Sequence, residues 1–258
     1  MSTNGKPRIA FFDFTGCEGC QLTVIDALQT YPELLDVVEI VEFREAMSEQ
    51  AEAYDIAFVE GSCCRESDET RLHDIRERSV YVVALGACAH LGGVNAIRNR
   101  LDMDETRHYV YGDYAEWYES YEPRAIADVI DVDTAVPGCP IDRDEFVNMV
   151  KLFLQGRLPQ PPDYPLCIEC KLRENVCVYL RGQVCLGPIT RAGCKAVCCE
   201  YGIGCEGCRG LISNPQIEPM RRVLAEHGMT EADMQTKLSL FLTNQLSALV
   251  LEEEAARV

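Results

Sequence analysis

The sequence predicts an α/β fold built on a doubly wound parallel sheet. Short apolar runs alternate with segments of helical periodicity from residue 8 to residue 155, and short loops join them. The runs assigned to strands are 8–12, 37–43, 54–60, 79–85 and 127–136. Helices are expected over 21–31, 65–78 and 141–155, and an irregular, tyrosine-rich excursion over 101–125.

Six cysteines come directly after predicted strands. Cys17-Glu-Gly-Cys20 follows the first strand, and the third, fourth and fifth strands are followed by Cys63, Cys64, Cys88 and Cys139. All six should therefore project from the carboxyl edge of the sheet, where folds of this kind place their ligands. Taken alone, the Cys-x-x-Cys is typical either of a thiol–disulfide redox pair or of metal ligands.

Cysteine is unusually abundant, with 15 among 258 residues. No apolar signal segment follows the first Met, and no apolar run approaches the ~20 residues of a membrane span. We therefore expect a cytoplasmic protein without a membrane span. In that compartment thiols stay reduced, and patterned cysteines are more often metal ligands than disulfides.

The chain is strongly acidic, with a formal net charge of −18. Nucleic-acid backbones are bound by clustered Lys and Arg, so this charge argues against a nucleic-acid partner. Most of the acidic side chains are expected to form solvated surface. The remainder would select basic partner surfaces or reflect a saline habitat.

A proline-rich stretch at 158–162 separates two regions of different composition. Glycine and cysteine dominate the region that follows, which has few apolar residues for a core and is expected to fold around metal. From residue 214 the pattern is helical again. We predict three segments: 1–158 with the first site, a cysteine-rich segment over 163–212, and a helical segment over 213–258.

Zinc ions and iron–sulfur clusters are both held by four thiolates. The first site would combine Cys17 and Cys20 with Cys88 and Cys139, on loops whose glycines let the backbone approach a bulky group. A cluster fits this arrangement better than a single ion. If Cys199 is set aside, eight ligands remain for two more clusters: Cys167, Cys170, Cys177, Cys185, Cys194, Cys198, Cys205 and Cys208. Their partition stays open, as does a redox-silent scaffold held by a zinc-ribbon pair.

Three motifs together resemble the small subunit of nickel–iron hydrogenases, a superfamily that includes the 20 kDa cluster subunit of respiratory complex I. They are Cys17-Glu-Gly-Cys20, Gly86-Ala-Cys-Ala89 with Gly92-Gly93, and Pro137-Gly-Cys-Pro140. The later runs Cys185-Leu-Gly-Pro-Ile-Thr-Arg-Ala-Gly-Cys194 and Cys205-Glu-Gly-Cys-Arg-Gly210 are similar to the gamma or delta subunits of one branch. That branch is the cytoplasmic methyl-viologen-reducing and F420-reducing enzymes.

The resemblance implies a flavodoxin-like domain with a proximal 4Fe–4S cluster, a C-terminal iron–sulfur, ferredoxin-like domain with two more, and terminal helices. It also implies that the twelve cysteines of the three sites are the ligands, and that this chain has no catalytic residue. The nickel–iron active site would lie in a partner large subunit. The chain would relay electrons to a further partner with flavin, ferredoxin-like or heterodisulfide-reductase-like centres. The alternative is a cluster relay in a complex whose large subunit lacks nickel.

Several other residues carry weaker hypotheses. Cys63, Cys64 and Cys199 are either small buried fillers or, for the first two, neighbours that tune the proximal cluster. Glu18 would serve a proton relay or an interface hydrogen bond, and Glu60 would orient a loop or end a strand. His90 could ligate iron if a thiol were missing, but with four thiols available an ordinary polar role is favoured. No phosphate-binding loop or Ser-His-Asp order occurs, and the fold could accommodate flavin although no sequence feature requires it.

Overall fold

A computed structural model of the chain describes residues 5–255. The chain divides into two compact units, Met1–Gln160 and Pro161–Val258. The division falls within the proline-rich stretch at 158–162. The more detailed three-segment division, with its boundaries at 158, 163 and 213, stays a prediction.

The first unit contains the predicted parallel sheet. Its strands are β1 (Arg8–Asp13), β2 (Glu39–Phe43), β3 (Tyr54–Glu60), β4 (Ser79–Leu85) and β5 (Thr134–Val136), in the order β2-β1-β3-β4-β5. Every pairing is parallel. The winding reverses between β1 and β3, so the topological switch point lies where these two strands end. The α/β fold class predicted from the sequence is confirmed.

Helices cover both faces of this sheet. Those of the first unit are α1 (Gly19–Thr30), α2 (Leu34–Val37), α3 (Glu66–Arg78), α4 (Gly86–Leu91), α5 (Met103–Tyr111) and α6 (Arg143–Leu154), with 3-10 turns at 93–100, 112–117 and 126–128. On one face, Phe11 stacks on Phe58 at 5.1 Å, and Phe146 of α6 packs against Phe58 at 5.3 Å. On the other face, Leu72 and Ile75 of α3 are buried against the sheet.

Two assignments made from the sequence were wrong, one strand boundary and one segment expected to be irregular. The strand expected over 127–136 is limited to Thr134–Val136, because the carboxylate of Asp128 accepts a hydrogen bond from the backbone N–H of Ala125 and holds a 3-10 turn. The excursion expected to be irregular contains helix α5. Asp102 caps this helix by accepting a hydrogen bond from the N–H of Glu105 at 2.8 Å.

The second unit begins with short helices and ends with longer ones. Its helices are α7 (Cys167–Leu172), α8 (Val197–Glu200), α9 (Ile217–Glu226) and α10 (Glu231–Ala255), with a 3-10 turn at Val178–Arg181. Isolated bridges join Pro165 to Arg191 and Thr190 to Leu211. The ferredoxin-like, iron–sulfur character expected of this region stays a prediction, whereas the terminal helices are present. Within 5–255, no helix is both long and apolar enough to cross a bilayer.

Candidate metal centres

The four thiols predicted to form the first site lie on loops at one edge of the sheet. Cys17 follows β1, Cys20 lies in the first turn of α1, Cys88 lies in α4 and Cys139 follows β5. Their thiols are close enough to interact electrostatically: Cys88 with Cys17 and Cys139, Cys139 with Cys17, and Cys20 with Cys139. The structure therefore brings together four residues that are up to 122 positions apart in the sequence.

Burial raises the pKa of three of these thiols, those of Cys20, Cys88 and Cys139. It raises the pKa of Cys88 to about 12, and the neighbouring Cys139 and Cys17 add to this rise. The pKa of Cys20 is raised by burial and then by the nearby carboxylate of Glu60. A bound metal supplies the positive charge that converts such thiols into thiolates. The pocket thus favours metal-bound thiolates over free ones.

Two glycines leave room beside the sulfur atoms. A Cβ atom at Gly86 would lie 2.3 Å from the Sγ of Cys20, and one at Gly93 would lie 2.9 Å from the Sγ of Cys88. Both glycines also have positive φ angles, 83° and 57°, which L side chains rarely adopt. The loops therefore bring backbone, without side chains, up to two of the four sulfurs, as a bulky four-iron group requires.

The buried carboxylate of Glu60 fixes the start of α1. One of its oxygens accepts a hydrogen bond from the N–H of Cys20 at 3.0 Å, and the other accepts from the N–H of Gln21 at 2.9 Å. Glu60 is 4% exposed, and burial raises its pKa although the two N–H groups oppose that rise. The loop-orienting role considered for Glu60 is the one that this geometry supports, because its contacts set the position of Cys20.

Glu60→Ala should lower the free energy of unfolding by about 2–4 kcal/mol, because two buried N–H donors lose their acceptor. Glu60→Gln retains one acceptor oxygen and should cost less. Thermal unfolding of the anaerobic protein, followed by circular dichroism, gives the order of stability of the parent, Glu60→Gln and Glu60→Ala. An alanine variant as stable as the parent would contradict this role for Glu60.

Cys63 and Cys64 have different surroundings although they are adjacent. The Sγ of Cys63 lies 3.1 Å from the hydroxyl of Tyr121, within the apolar core beneath α3. The Sγ of Cys64 lies 3.4 Å from the hydroxyl of Ser62, and its charge contributes to the raised pKa of Cys88. Of the two, Cys64 is therefore the neighbour of the first site, and Cys63 is a core residue.

Cys64→Ser should shift the reduction potential of the first site, because a thiol beside Cys88 is replaced by a more polar hydroxyl. Cys63→Ser is the matched control and should leave the potential unchanged. Redox titration followed by electron paramagnetic resonance compares the variants. Equal potentials and equal oxygen sensitivity in the parent and Cys64→Ser would exclude a tuning role.

In the second unit, four thiols form a group around Cys167. Burial raises the pKa of Cys167 to about 11, and further increases come from the nearby thiols of Cys185, Cys170 and Cys177. A Cβ atom at Gly187 would lie 3.3 Å from the Sγ of Cys185 and 3.4 Å from the Sγ of Cys167. Cys167, Cys170, Cys177 and Cys185 therefore form a second group, again with a glycine against its sulfurs.

Backbone N–H groups point at the sulfur of Cys185. The N–H of Cys205 donates to it at 3.1 Å and that of Gly187 at 3.4 Å. The Sγ of Cys199 lies 4.0 Å away, and this thiol–thiol contact, together with the two N–H groups, lowers the pKa of Cys185. Since hydrogen bonds to sulfur stabilise a thiolate, Cys185 has the surroundings of a metal ligand.

The remaining four cysteines form two close pairs. The thiol of Cys194 interacts with that of Cys198, and the thiol of Cys205 interacts with that of Cys208. The sulfur of Cys194 also accepts a hydrogen bond from the N–H of Ala196, which has a positive φ of 53°. The sulfur of Cys205 accepts one from the N–H of Gly207 at 3.4 Å. In each pair, a backbone N–H group thus donates a hydrogen bond to one of the two sulfurs.

One buried charge beside these pairs was not singled out from the sequence. The side chain of Arg209 is 1% exposed, and its Nε donates to the carbonyl of Ala192 at 2.6 Å. Its positive charge lowers the pKa of Cys194, against the larger effect of burial. The sequence did contain a sign of this residue, because Arg209 directly follows Cys208 in the motif Cys205-Glu-Gly-Cys-Arg-Gly210.

The other candidates lie near the first site or within its loops. Glu18, between Cys17 and Cys20, adopts a left-handed conformation with φ 62°, and Glu45 interacts with its carboxylate. His90 is half-buried in α4. Within residues 5–255, no group of three or more His, Cys, Asp or Glu side chains is arranged to hold a single metal ion.

The sheet and its thiol-bearing loops define a class of oxidoreductase subunit, and sequence comparison identifies the family. Residues 17–153 match the model of the family described as NADH ubiquinone oxidoreductase, 20 Kd subunit. The chain belongs to this family. This confirms the superfamily predicted from the three cysteine-bearing motifs.

Individual relatives include hydrogenase subunits. The sulfhydrogenase 2 subunit delta of Pyrococcus furiosus is 36% identical over 236 residues, which cover 91% of this chain and 98% of the relative. A subunit of the vhu F420-non-reducing hydrogenase of Methanocaldococcus jannaschii is 31% identical over 234 residues, covering 79% of this chain and 81% of the relative. A chain of an NAD+-reducing [NiFe]-hydrogenase structure in the H2-reduced state superposes with a TM-score of 0.55 and 26% identity, covering 61% of this chain and 96% of that chain.

Proposed function

We propose that the chain is the electron-transferring small subunit of a nickel–iron hydrogenase complex. It would relay electrons between the nickel–iron centre of a large subunit and a partner acceptor through three 4Fe–4S clusters. The observation that carries the proposal is the clustering of the thiols, which are far apart in the sequence and close together in space. The relatives described above are hydrogenase subunits, and this supports the proposal.

The thiol contacts support a division of the twelve ligands into three sets. The first is Cys17, Cys20, Cys88 and Cys139, and the second is Cys167, Cys170, Cys177 and Cys185. The third set is assigned by elimination and consists of the two remaining pairs, Cys194 with Cys198 and Cys205 with Cys208, of which Cys198 and Cys205 also interact with Cys185. When bound, 4Fe–4S clusters supply one-electron transfer at potentials set by their surroundings.

The protein's own contribution is to place and polarise the sulfurs. Glu60 holds the backbone at Cys20, and Gly86 and Gly187 keep side chains away from three of the sulfurs. N–H groups from Gly187, Cys205 and Gly207 donate to ligand sulfurs in the second unit. Such hydrogen bonds withdraw charge from thiolates and so raise the reduction potential of the bound group.

The exposure of the first site supports a partner subunit on that side. Cys17 and Cys139 are exposed, whereas Cys20 is buried and Cys88 is partly buried. A partner that covers the exposed pair would exclude water from the site, as we propose for the nickel–iron large subunit. The second partner would carry flavin, ferredoxin-like or heterodisulfide-reductase-like centres, and the complex would be cytoplasmic.

Hydrogen-dependent dye reduction by the purified complex tests the function. We expect reduction of a viologen dye under hydrogen in the parent, and its loss in Cys17→Ser. The Cys63→Ser variant should retain it, because the sulfur of Cys63 lies in the core against the hydroxyl of Tyr121. A complex that contains iron–sulfur clusters and oxidises no hydrogen would contradict the hydrogenase assignment and favour a relay in another oxidoreductase.

A further inference from the structure

Three segments around the first site come from neighbouring strands. β1, β3 and β4 are adjacent in the sheet, and the residues that follow them include Cys17, Cys64 and Cys88. Within the sheet, backbone hydrogen bonds hold neighbouring strands at a fixed spacing. Beyond the strand ends that constraint is lost, so the relative positions of these three cysteines depend on contacts between the segments themselves.

Backbone hydrogen bonds join the first two of these segments. The N–H of Thr15 donates to the carbonyl of Ser62 at 3.2 Å, and the N–H of Ser62 donates to the carbonyl of Thr15 at 2.8 Å. The two residues form an isolated antiparallel bridge. Cys17 lies two residues beyond the bridge on one segment, and Cys64 lies two residues beyond it on the other. The bridge thus brings the two segments together just before each cysteine.

The side-chain amide of Asn95 connects the third segment to this bridge. Its Nδ2 atom donates to the carbonyl of Thr15 at 2.9 Å and to the Oγ of Ser62 at 2.8 Å. Both N–H bonds of the amide are therefore used, one on each segment. Asn95 itself lies in the 3-10 turn at 93–100, directly after the helix that contains Cys88. One side chain thus joins the segments that follow β1, β3 and β4.

The hydroxyl of Ser62 extends this network to Cys64. Its Oγ lies 3.2 Å from the carbonyl of Thr15 and 3.4 Å from the Sγ of Cys64. A serine hydroxyl has one proton to donate and two lone pairs that accept. When Asn95 donates to this oxygen and the hydroxyl donates to the carbonyl, one lone pair remains for the thiol proton of Cys64. Asn95 therefore orients Cys64 through Ser62.

We propose that Asn95 is a positioning residue of the first site, which holds the loop of Cys17 and the thiol of Cys64. The inference rests on the proposed function, because it requires a cluster at this site. Among the described contacts, Asn95 touches no ligand sulfur, so it acts through the loops. Hydrogen-bond partners that orient metal ligands typically contribute about 10- to 100-fold to metal affinity.

Asn95→Ala in the intact anaerobic complex tests the proposal. The backbone bridge between Thr15 and Ser62 remains in this variant, so we expect the chain to fold. Under an excess of the iron chelator bathophenanthroline, the first cluster should be lost at least about tenfold faster than in the parent. Its reduction potential should also shift, whereas the other two proposed clusters serve as internal controls and should keep theirs. Electron paramagnetic resonance follows each cluster, and Cys17→Ser identifies the signal of the first one by its loss.

Two further variants separate positioning from general stability. Asn95→Asp has nearly the same shape but no N–H donor, so it should also lose the first cluster faster. Asn99→Ala is the matched control, because Asn99 lies in the same turn and donates to the carbonyl of Pro123 at 2.9 Å. It should leave the rate of cluster loss and the potential unchanged.

Three results would overturn the inference and leave the proposed function intact. They are parental rates and potentials in Asn95→Ala, parental behaviour of Asn95→Asp, or an equal acceleration in Asn95→Ala and Asn99→Ala. A parent complex that lacks the signal of the first cluster would instead contradict the proposed function, and the inference with it.

Discussion

Gly86→Ala is expected to eliminate the first of the three proposed clusters while the other two remain. The added Cβ would lie 2.3 Å from the Sγ of Cys20, well inside the contact distance of carbon and sulfur. The φ of +83° adds backbone strain, so neither the side chain nor the loop has a low-cost way to relax. Iron analysis should fall from about twelve to about eight atoms per chain.

Gly156→Ala provides a control with the same kind of backbone strain. Gly156 has a φ of +69°, and a Cβ there meets nothing within 4 Å. This variant should retain about twelve iron atoms, since it changes no contact with a thiol. If Gly86→Ala also retained the full iron content, the sulfur of Cys20 would be displaced easily, and the described geometry of the first site would be wrong.

Cys185→Ser is expected to remove one of the two proposed C-terminal clusters, whereas Cys199→Ser should remove none. Both sulfurs are buried and lie 4.0 Å apart. Among the described contacts, Cys185 accepts hydrogen bonds from the N–H groups of Cys205 and Gly187, whereas Cys199 accepts none from these groups. Because hydrogen bonds to sulfur stabilise a thiolate, these contacts favour Cys185 over Cys199 as the proposed ligand.

Iron analysis and electron paramagnetic resonance after reduction distinguish the two variants. Cys185→Ser should lose about four iron atoms and the signal of one cluster. If iron were lost in Cys199→Ser and retained in Cys185→Ser, Cys199 would be the ligand and Cys185 would be the buried thiol beside it. This result would also require a different partition of the second and third sets of ligands.

Much of the architecture follows from local sequence patterns. The buried, β-branched character of β3 and β4 predicts central parallel strands, and both have the expected bounds. Glycines and cysteines directly after strands predict a site at the carboxyl edge. These features can be predicted because each depends on the residue type at its own position. A strand buried on both faces needs apolar residues throughout, and a metal ligand needs a thiol.

Other features depend on contacts that sequence spacing does not encode. Helix α5 has no buried residue and hence no apolar period, although Asp102 and Glu105 carried a capping signal. A cleft in the first unit is lined by five arginines and other residues that lie between positions 13 and 120, so no single sequence motif predicts it. Likewise, the adjacent Cys63 and Cys64 have different roles only because the loop turns one sulfur toward Tyr121 and the other toward Ser62.

The proposed three-cluster relay is tested most directly by the iron and acid-labile sulfide content of the anaerobically purified chain. Three 4Fe–4S clusters require about twelve iron and about twelve sulfide per chain, with little zinc. About four iron per chain, or stoichiometric zinc without sulfide, would contradict the proposal. In the first case only one site would hold a cluster, and in the second the thiols would form a redox-silent scaffold.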